Sequence, residues 1–308
     1  MPPLFSIVSP VYEAESLIDT LVERISKELC TMSEQYEVVL VDDGSSDGSW
    51  LKIEENAQKD ARVKGIKLSR NFGQHYAIAA GLQAAKGEWV VVMDCDLQDQ
   101  PEEIPTLYLK AQEGYDVVLA QRLQRQDSFA KRFFSWLFYR LLSYLTGIKQ
   151  DPSIANFGIY HQRVVKAINQ MPESLRYFPT MVRWVGFRQT QIAISHQARQ
   201  VGKSSYNFSK RLNLAVNIIL AYSDKPIRLA IKLGFSIALL AFMFAIITFV
   251  RYFSGEIKVL GYTSLIISIS FFAGLIMSTL GIVGLYVGKT FESVKQRPLY
   301  IVEKKINF

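Results

Sequence analysis

The chain has 308 residues, enough for one catalytic domain and further elements, and a formal net charge of +7 at pH 7. Only 20% of its residues are charged and its mean hydropathy is positive, which favours a partly membrane-associated protein with a basic face. The sequence has no dense Lys/Arg clusters and no nucleic-acid recognition module, so a nucleic-acid partner is not expected.

The cysteines and histidines do not form a metal or disulfide framework. Cys30 and Cys95 lie far apart in predicted core elements, which indicates reduced thiols in a cytosolic compartment. His75, His161 and His196 lack the spacing of metal ligands. The N-terminus enters a strand at once, so no cleavable signal peptide is expected.

Short apolar runs alternate with amphipathic helical patterns over the first 120 residues. Strands are predicted at 4–8, 37–41, 63–68, 89–93 and 117–120. Helices are predicted between the first four of them, at 16–29, 49–56 and 75–85. Strand, polar turn and helix in repetition predict an α/β fold, with a mostly parallel sheet covered by helices on both faces.

Polar turns follow four of these strands. In open α/β sheets, ligands bind beyond the carboxyl ends of the strands, so we expect the four turns to meet in one crevice. The residues concerned are Pro10 and Tyr12, Asp42 and Asp43, Arg70 and Asn71, and Asp94 and Asp96.

Asp94 and Asp96 directly follow a buried apolar run. On an extended chain, positions two apart point the same way, so the two carboxylates can converge on one object. A hard divalent cation such as Mg²⁺ or Mn²⁺ takes oxygen ligands and often keeps phosphates as its other partners. The alternative is an acidic loop that is merely solvated, and the spacing by itself leaves both readings open.

Residues 129–146 have the pattern of an amphipathic helix with a wide, aromatic apolar face. Lys131, Arg132 and Arg140 flank that face, which favours a helix lying in a membrane interface over an ordinary core helix.

Two long apolar runs without charged residues follow, at 233–250 and 259–288. At about 1.5 Å per residue, both can cross a hydrocarbon core of roughly 30 Å. Lys and Arg residues before the first run and after the second predict that both termini and the large domain are cytoplasmic, in an inner or plasma membrane. The expected layout comprises a cytosolic domain at 1–207, a juxtamembrane amphipathic segment at 208–228, membrane helices at 229–251 and 259–288, and a basic cytosolic tail at 289–308 with a short strand.

The tail contains a strand-like segment at 299–302. Such a segment could add to the sheet edge of a neighbouring chain, which leaves a homo-oligomer open. Elsewhere, Val201-Gly-Lys-Ser204 has Gln197 where a P-loop needs its first glycine, and no dinucleotide-binding glycine motif follows a strand.

Taken together, the motifs resemble membrane-anchored family 2 glycosyltransferases that load a sugar onto a polyisoprenyl phosphate. Dolichol-phosphate mannose synthases and bactoprenol glucosyltransferases are members of that family. The resemblance covers nearly the whole chain, and its motifs are very specific in combination. It rests on 9–12 (SPVY), 41–45 (VDDGS), 68–73 (LSRNFG), 94–102 (DCDLQDQPE), 184–187 (WVGF), 199–206 (RQVGKSSY) and 297–301 (RPLYI).

The resemblance implies a GT-A fold, a nucleotide-diphosphate sugar donor and a Mg²⁺ or Mn²⁺ cofactor. Asp94, Asp96 and Gln98 would hold the metal and the diphosphate, and Arg199 would complete the catalytic set by reaching the phosphates. Nucleotide-sugar contacts are assigned to Pro10, Tyr12, Glu13, Asp42, Asp43, Arg70 and Gln98. The acceptor phosphate is assigned to Arg122, Arg125, Lys131 and Arg132, since guanidinium groups offer fork-like donors to phosphate oxygens.

The implied reaction is inverting transfer of a sugar, with UDP-glucose as the favoured donor, to undecaprenyl phosphate at the cytosolic membrane face. The product would be a lipid-linked sugar for cell-envelope glycan modification. The attacking phosphate has a second pKa of about 6 and is largely ionised already, which weakens the need for a general base.

The chain departs from the family pattern at two positions. Asn156 stands where many relatives carry the carboxylate often assigned as a base. Either no base is required, or Asp151 substitutes, or the acceptor differs, and the charged nucleophile favours the first. Glu13-Ala14 stands where Asn-Glu is usual, which leaves the choice between UDP and GDP open.

Two other functions compete with this one. A processive polysaccharide synthase would carry a Gln-x-x-Arg-Trp motif, but Thr180 occupies the Gln position before Arg183-Trp184, and two spans cannot enclose a polymer channel. A non-catalytic membrane scaffold that binds a nucleotide sugar would not need Asp94, Asp96 and Arg199 together.

Overall fold

The computed structural model describes residues 3–122, 140, 143–145, 154–171, 176–194, 216, 219, 223–254, 261–295 and 297–308. The chain forms two compact units. The first comprises 1–143, 148–208 and 297–308, and the second comprises 144–147 and 209–296.

A mixed sheet forms the centre of the first unit, with eight strands within the described ranges. The strands are β1 (Phe5–Val11), β2 (Tyr36–Asp42), β3 (Val63–Leu68), β4 (Trp89–Val92), β5 (Val117–Arg122), β6 (Ile154–His161), β7 (Gln189–Ile194) and β8 (Val302–Ile306). Their order is β7-β5-β6-β4-β1-β2-β3-β8. Strands β1 to β4 run parallel, whereas β6 is antiparallel to β4 and β5, and β8 is antiparallel to β3. The predicted α/β fold with a mostly parallel sheet is confirmed.

Helices cover both faces of this sheet. They are α1 (Glu15–Met32), α2 (Ser49–Lys59), α3 (Gln74–Ala84), α4 (Ile104–Ala111), α5 (Gln162–Asn169) and α6 (Phe178–Trp184). Alternate strand residues face opposite layers: Ile7 packs in the cluster formed with α1, α2 and α4, and Val8 in the one formed with α3, α5 and α6. In α1, the apolar residues four positions apart are all buried, which is why this sequence forms a helix against the sheet.

The sequence did not predict β6, β7, α4, α5 or α6. A tail strand that could add to a neighbour's sheet edge was predicted at 299–302, and the observed strand begins later in the chain. It runs from Val302 to Ile306 and pairs with β3 of the same chain, where Gly65 lies opposite Ile306. Its charged Glu-Lys-Lys centre suits an edge strand, because charges discourage further pairing.

The second unit contains α7 (Lys225–Phe253) and α8 (Tyr262–Val294). By length and composition, Lys225–Phe244 and Phe271–Phe291 could each cross a membrane, and neither stretch is buried within the protein. Residues 140 and 143–145, the described part of the predicted interfacial helix, are helical. The rest of that helix lies outside the described residues, as does most of the juxtamembrane segment.

Candidate active site

Pro10 lies buried near the end of the central strand β1. A proline is poorly suited to the middle of a sheet, because it offers no N–H to the ladder. Here β4 pairs with β1 only from Phe5 to Val8, so β4 has already ended where the N–H of Pro10 would be needed. The sheet therefore opens beside Pro10.

Tyr12 and Glu13 follow β1 and contact the turn after β2. Tyr12 is 47% exposed, and Glu13 has a positive φ of 49°. The Glu13 N–H donates to Ser45 Oγ at 3.0 Å, and Ser46 Oγ donates to Glu13 Oε1 at 3.2 Å. The negative charge of Glu13 raises the pKa of the Tyr12 hydroxyl.

Asp42 ends β2 and is fully buried. Its Oδ1 accepts a hydrogen bond of 3.2 Å from the N–H of Ser45. Its Oδ2 is buried without a hydrogen-bond partner among the described residues, and burial raises the pKa of this carboxyl group. Asp42 therefore stabilises the turn after β2 through its hydrogen bond with the Ser45 N–H.

Asp43 connects this turn to the one between β3 and α3. Its two oxygens accept backbone hydrogen bonds of 2.8 Å each, from the N–H groups of Phe72 and Gly73. Burial raises the pKa of Asp43, and the two backbone donors oppose that rise. Next to it, Gly44 has a φ of 68°, and a Cβ there would lie 2.4 Å from the carbonyl carbon of Arg70. Only glycine fits at this close approach of the two turns.

The turn after β3 also contacts the turn after β1. The Asn71 side chain lies close enough to the Tyr12 hydroxyl to lower its pKa, against the larger raising effect of Glu13. Arg70 is exposed, with its guanidinium 4.0 Å from the ring centre of Phe72 and a hydrogen bond of 3.0 Å to the carbonyl of Asn71. A cation is therefore available at the rim of the crevice.

Asp94 and Asp96 lie just beyond β4, and both are partly exposed. Asp94 Oδ1 accepts a hydrogen bond of 2.6 Å from Gln74 Nε2, and Asp96 Oδ1 accepts one of 3.1 Å from the N–H of Gln98. Between Asp96 and Gln98, the buried Leu97 has a positive φ of 57°, which bends the chain back towards Asp96. A non-glycine residue in this region costs about 1 kcal/mol, which burial of the Leu97 side chain can offset.

Cys95, between the two aspartates, packs against the core beside the backbone of Tyr12. Burial raises the pKa of its thiol to about 12, so the thiol stays neutral. The turn after β4 is joined to the start of α3 by the hydrogen bond from Gln74 to Asp94. All four predicted turns are thus connected at one edge of the sheet.

The aspartate pair fits a divalent cation by the chemistry of its donors. Among the described residues, no group of three or more His, Cys, Asp or Glu side chains could hold a metal. However, Mg²⁺ is commonly held by one or two carboxylates together with substrate phosphates, and Mn²⁺ favours the same oxygen ligands. Asp94 and Asp96 offer such carboxylates, and Gln98 lies on the same turn with a partly exposed side chain.

Asn156 belongs to β6, which runs against the direction of β4. Val92 of β4 pairs with Gly158 of β6. Asp94 lies two positions after Val92, and Asn156 lies two positions before Gly158, so in antiparallel strands both lie beyond this pair in the same direction. Asn156 therefore lies at the same edge of the sheet as Asp94, with a partly exposed side chain.

Several predicted residues lie outside the described part of the chain. They are Arg125, Lys131, Arg132, Arg199 and the alternative base Asp151. Arg122 ends β5, and only its backbone is described. The structure also adds Gln74 to the candidate site. The sequence did not indicate this residue, because a single glutamine at the start of a helix carries no motif.

The known proteins most informative for this chain are glycosyltransferases. The family described as glycosyl transferase family 2 matches residues 6–168. An uncharacterised glycosyltransferase of Synechocystis is 36% identical over 298 residues, covering 96% of this chain and 94% of the relative. An undecaprenyl-phosphate 4-deoxy-4-formamido-L-arabinose transferase of Proteus mirabilis is 35% identical over 304 residues, covering 98% and 93%.

Solved structures show the same fold. A glucosyl-3-phosphoglycerate synthase from Mycobacterium tuberculosis, in complex with Mn²⁺, UDP-glucose and phosphoglyceric acid, matches with a TM-score of 0.53 at 16% sequence identity. The match covers 71% of this chain and 78% of the synthase. With the family match and the full-length relatives, it follows that the chain is a glycosyltransferase of family 2 with the GT-A fold.

Proposed function

We propose that this enzyme transfers a sugar from a nucleotide-diphosphate sugar to undecaprenyl phosphate, a polyisoprenyl phosphate, at the cytosolic face of the membrane. The proposal is carried by the aspartate pair at the edge where four turns meet, in a chain whose α7 and α8 are apolar enough to cross a membrane. The full-length similarity to an undecaprenyl-phosphate glycosyltransferase supports the acceptor. The product is a lipid-linked sugar for modification of cell-envelope glycans.

The nucleotide is proposed to lie against the turns after β1, β2 and β3. Tyr12 offers an exposed ring, and Arg70 offers a charge at the rim. Asp42 and Asp43 are buried and already accept backbone hydrogen bonds, so their main contribution is to fix the turns that the nucleotide contacts. UDP-glucose is the favoured donor, on the resemblance to bactoprenol glucosyltransferases.

The leaving group is the nucleoside diphosphate, which gains negative charge as the bond from the anomeric carbon to the β-phosphate oxygen breaks. Mg²⁺ or Mn²⁺ held by Asp94, Asp96 and Gln98 would stabilise that charge. Arg199 is proposed as a second cation at the phosphates. Because Asp94 is held by Gln74 and Asp96 by the Gln98 N–H, the carboxylates are oriented before the donor binds.

The nucleophile is a phosphate oxygen of the acceptor, and it forms the new bond to the anomeric carbon from the opposite side. In-line attack inverts that carbon, so an α-linked donor gives a β-linked product. A phosphate monoester with a second pKa of about 6 is largely ionised near neutral pH. The neutral amide of Asn156 can orient a phosphate but cannot accept its proton, which agrees with a mechanism without a general base.

The acceptor phosphate is proposed to bind Arg122, Arg125, Lys131 and Arg132, close to the membrane surface. The proposed topology places the domain at 1–207 and both termini in the cytosol. The interfacial helix at 129–146 and the spans at 229–251 and 259–288 complete this arrangement. The excess of Lys and Arg outside the two apolar runs supports this orientation.

The test is transfer of label into lipid by the purified full-length chain. The reaction contains undecaprenyl phosphate, Mg²⁺ or Mn²⁺, and one labelled donor at a time. The donor panel includes UDP-sugars, GDP-sugars and a nucleotide-activated 4-deoxy-4-formamido-L-arabinose. We expect a lipid-linked product with one donor class, and none when undecaprenol replaces its phosphate. Absence of lipid-linked label with every donor would reject the proposed function.

A further inference from the structure

Gln74 is the first residue of α3, and its side chain crosses to the end of β4. Its amide nitrogen donates a hydrogen bond of 2.6 Å to Oδ1 of Asp94. The two residues lie 20 positions apart in the sequence. No sequence motif includes Gln74.

The backbone of Gln74 is fixed from the preceding turn. Gly73 has a φ of 107°, which suits glycine, and its carbonyl accepts the first hydrogen bonds of α3 from Tyr76 at 2.9 Å and Ala77 at 3.2 Å. The N–H of Gly73 is held in turn by Asp43 at 2.8 Å. The buried carboxylate after β2 therefore sets the position from which Gln74 reaches Asp94.

An amide is well suited to orient a carboxylate that must also bind a cation. Donation from Nε2 restricts rotation of the Asp94 carboxylate and polarises it without adding positive charge. A Lys or Arg at the same place would form a stronger ion pair and would compete with the metal for the carboxylate. Hydrogen bonds of this kind to metal-binding carboxylates commonly change metal affinity by about 10- to 100-fold.

We infer that Gln74 is a positioning residue for the metal site: it holds the Asp94 carboxylate in the orientation that binds the cation. The inference rests on the proposed role of Asp94 in holding Mg²⁺ or Mn²⁺. Gln74 also connects two turns of the crevice. Asp43 fixes the turn from which Gln74 starts, and the Gln74 side chain then orients Asp94 after β4. Weakened cation binding, with transfer retained when the cation saturates, is the signature of such a role.

The experiment measures Mn²⁺ binding to the full-length protein by electron paramagnetic resonance, in the presence of UDP and, separately, of GDP. Gln74→Ala should raise the Kd for Mn²⁺ by about 10-fold or more. Gln74→Asn, which is shorter by one methylene, should do the same while keeping a polar amide at the helix start. Gln112→Ala, at the exposed end of α4, is the matched control and should bind like the wild type.

Kinetics provide a second readout that a general loss of structure would not reproduce. In Gln74→Ala, the Mn²⁺ concentration for half-maximal transfer should rise about 10-fold, with kcat at saturating Mn²⁺ reduced by less than about 3-fold. If the wild type binds Mn²⁺ and both Gln74 variants bind it within twofold of the same Kd, the inference is wrong and the proposed metal role stands. If the wild type binds no Mn²⁺ with either UDP or GDP present, both are wrong.

Discussion

Asp43 accepts a hydrogen bond of 2.8 Å from the backbone N–H of Gly73, 30 residues further along the chain. Its second oxygen accepts another of the same length from Phe72. The resemblance assigned Asp43 to the nucleotide, and the geometry adds a structural task. This carboxylate joins the turns after β2 and β3, and with them the start of α3.

Asp43→Asn tests this structural task. An amide has one acceptor oxygen, so its NH₂ group must face one of the two backbone N–H donors. Leaving a buried donor without its partner costs about 1–3 kcal/mol. The apparent Tm, followed by intrinsic fluorescence, should fall by several degrees, because about 1 kcal/mol corresponds to roughly 2–4 °C in a domain of this size. The exposed Glu23→Gln should leave Tm unchanged, and an equal Tm for both variants would refute the structural task.

His75 should make stability depend on pH. His75 is partly buried at the start of α3, with its Nδ1 fully buried and its ring in edge contact with Tyr177 at 4.9 Å between centres, and burial lowers the pKa of His75 from 6.5 to about 4. Because the folded pKa lies below the unfolded one, the unfolded chain takes up the proton first as pH falls. Stability is therefore full above about pH 6.5 and is lost towards about pH 4.

The measurement compares the apparent Tm at about pH 7 and about pH 5 for the wild type and His75→Gln. Of the two side chains compared at position 75, only histidine titrates between these pH values. The Tm of His75→Gln should therefore fall less than the Tm of the wild type on acidification. Subtracting the two curves removes the contribution of carboxylates elsewhere. The same loss in both proteins would show that His75 does not titrate as its burial requires.

Asn307 fastens the tail strand to the sheet. Its amide donates to the carbonyls of Ala57 at 2.7 Å and Val63 at 2.8 Å, and its φ is 63°. Asn307→Gly keeps this backbone conformation freely and loses only the two hydrogen bonds, at about 0.5–1.5 kcal/mol each. Asn307→Ala should cost about 1 kcal/mol more, because alanine resists a positive φ. The expected order of Tm is wild type, Gly, then Ala; a Gly variant less stable than Ala would contradict it.

The parallel half of the fold could be predicted because its strands are buried on both faces, so that their sequences are largely apolar. Trp89–Val92 is a continuous apolar run, and Phe5–Val11 is apolar except for two buried serines; each is followed by a polar turn. By contrast, β7 is a half-exposed edge strand, and β6 contains Asn156 and Gly158, so neither gave a clear run. Their places in the sheet depend on pairings between distant segments, which a local pattern does not encode.

The candidate site, like the fold, could be predicted from the sequence only in part. Carboxylates at strand ends were visible in the sequence, because parallel strands bring their carboxyl ends to one edge. The partners that hold those carboxylates were not visible. Gln74 meets Asp94 only after α3 has packed on the sheet, and Asp43 meets Gly73 only through the close approach at Gly44. Such contacts follow from tertiary packing and carry no spacing signal.

Asn156→Ala tests the mechanism without a base. Loss of a general base typically lowers the rate by about 10²- to 10⁴-fold. Since the proposed nucleophile arrives ionised, the variant should retain transfer within about 10-fold of the wild type, and Asn156→Asp should not raise the rate. Single-turnover rates at saturating donor provide the comparison. A collapse of transfer in the alanine variant would show that this position takes part in the chemistry.

The most direct test of the proposed function is label in the lipid extract from undecaprenyl phosphate, compared between the wild type and Asp96→Asn. Asp60→Asn, before β3 at the opposite end of the sheet, is the matched control. We expect a lipid-linked sugar with the wild type and the control, and a rate at least about 100-fold lower with Asp96→Asn, because the charge on the leaving diphosphate is then less stabilised. No lipid-linked sugar from the wild type with any donor, or an unchanged rate in Asp96→Asn, would contradict it.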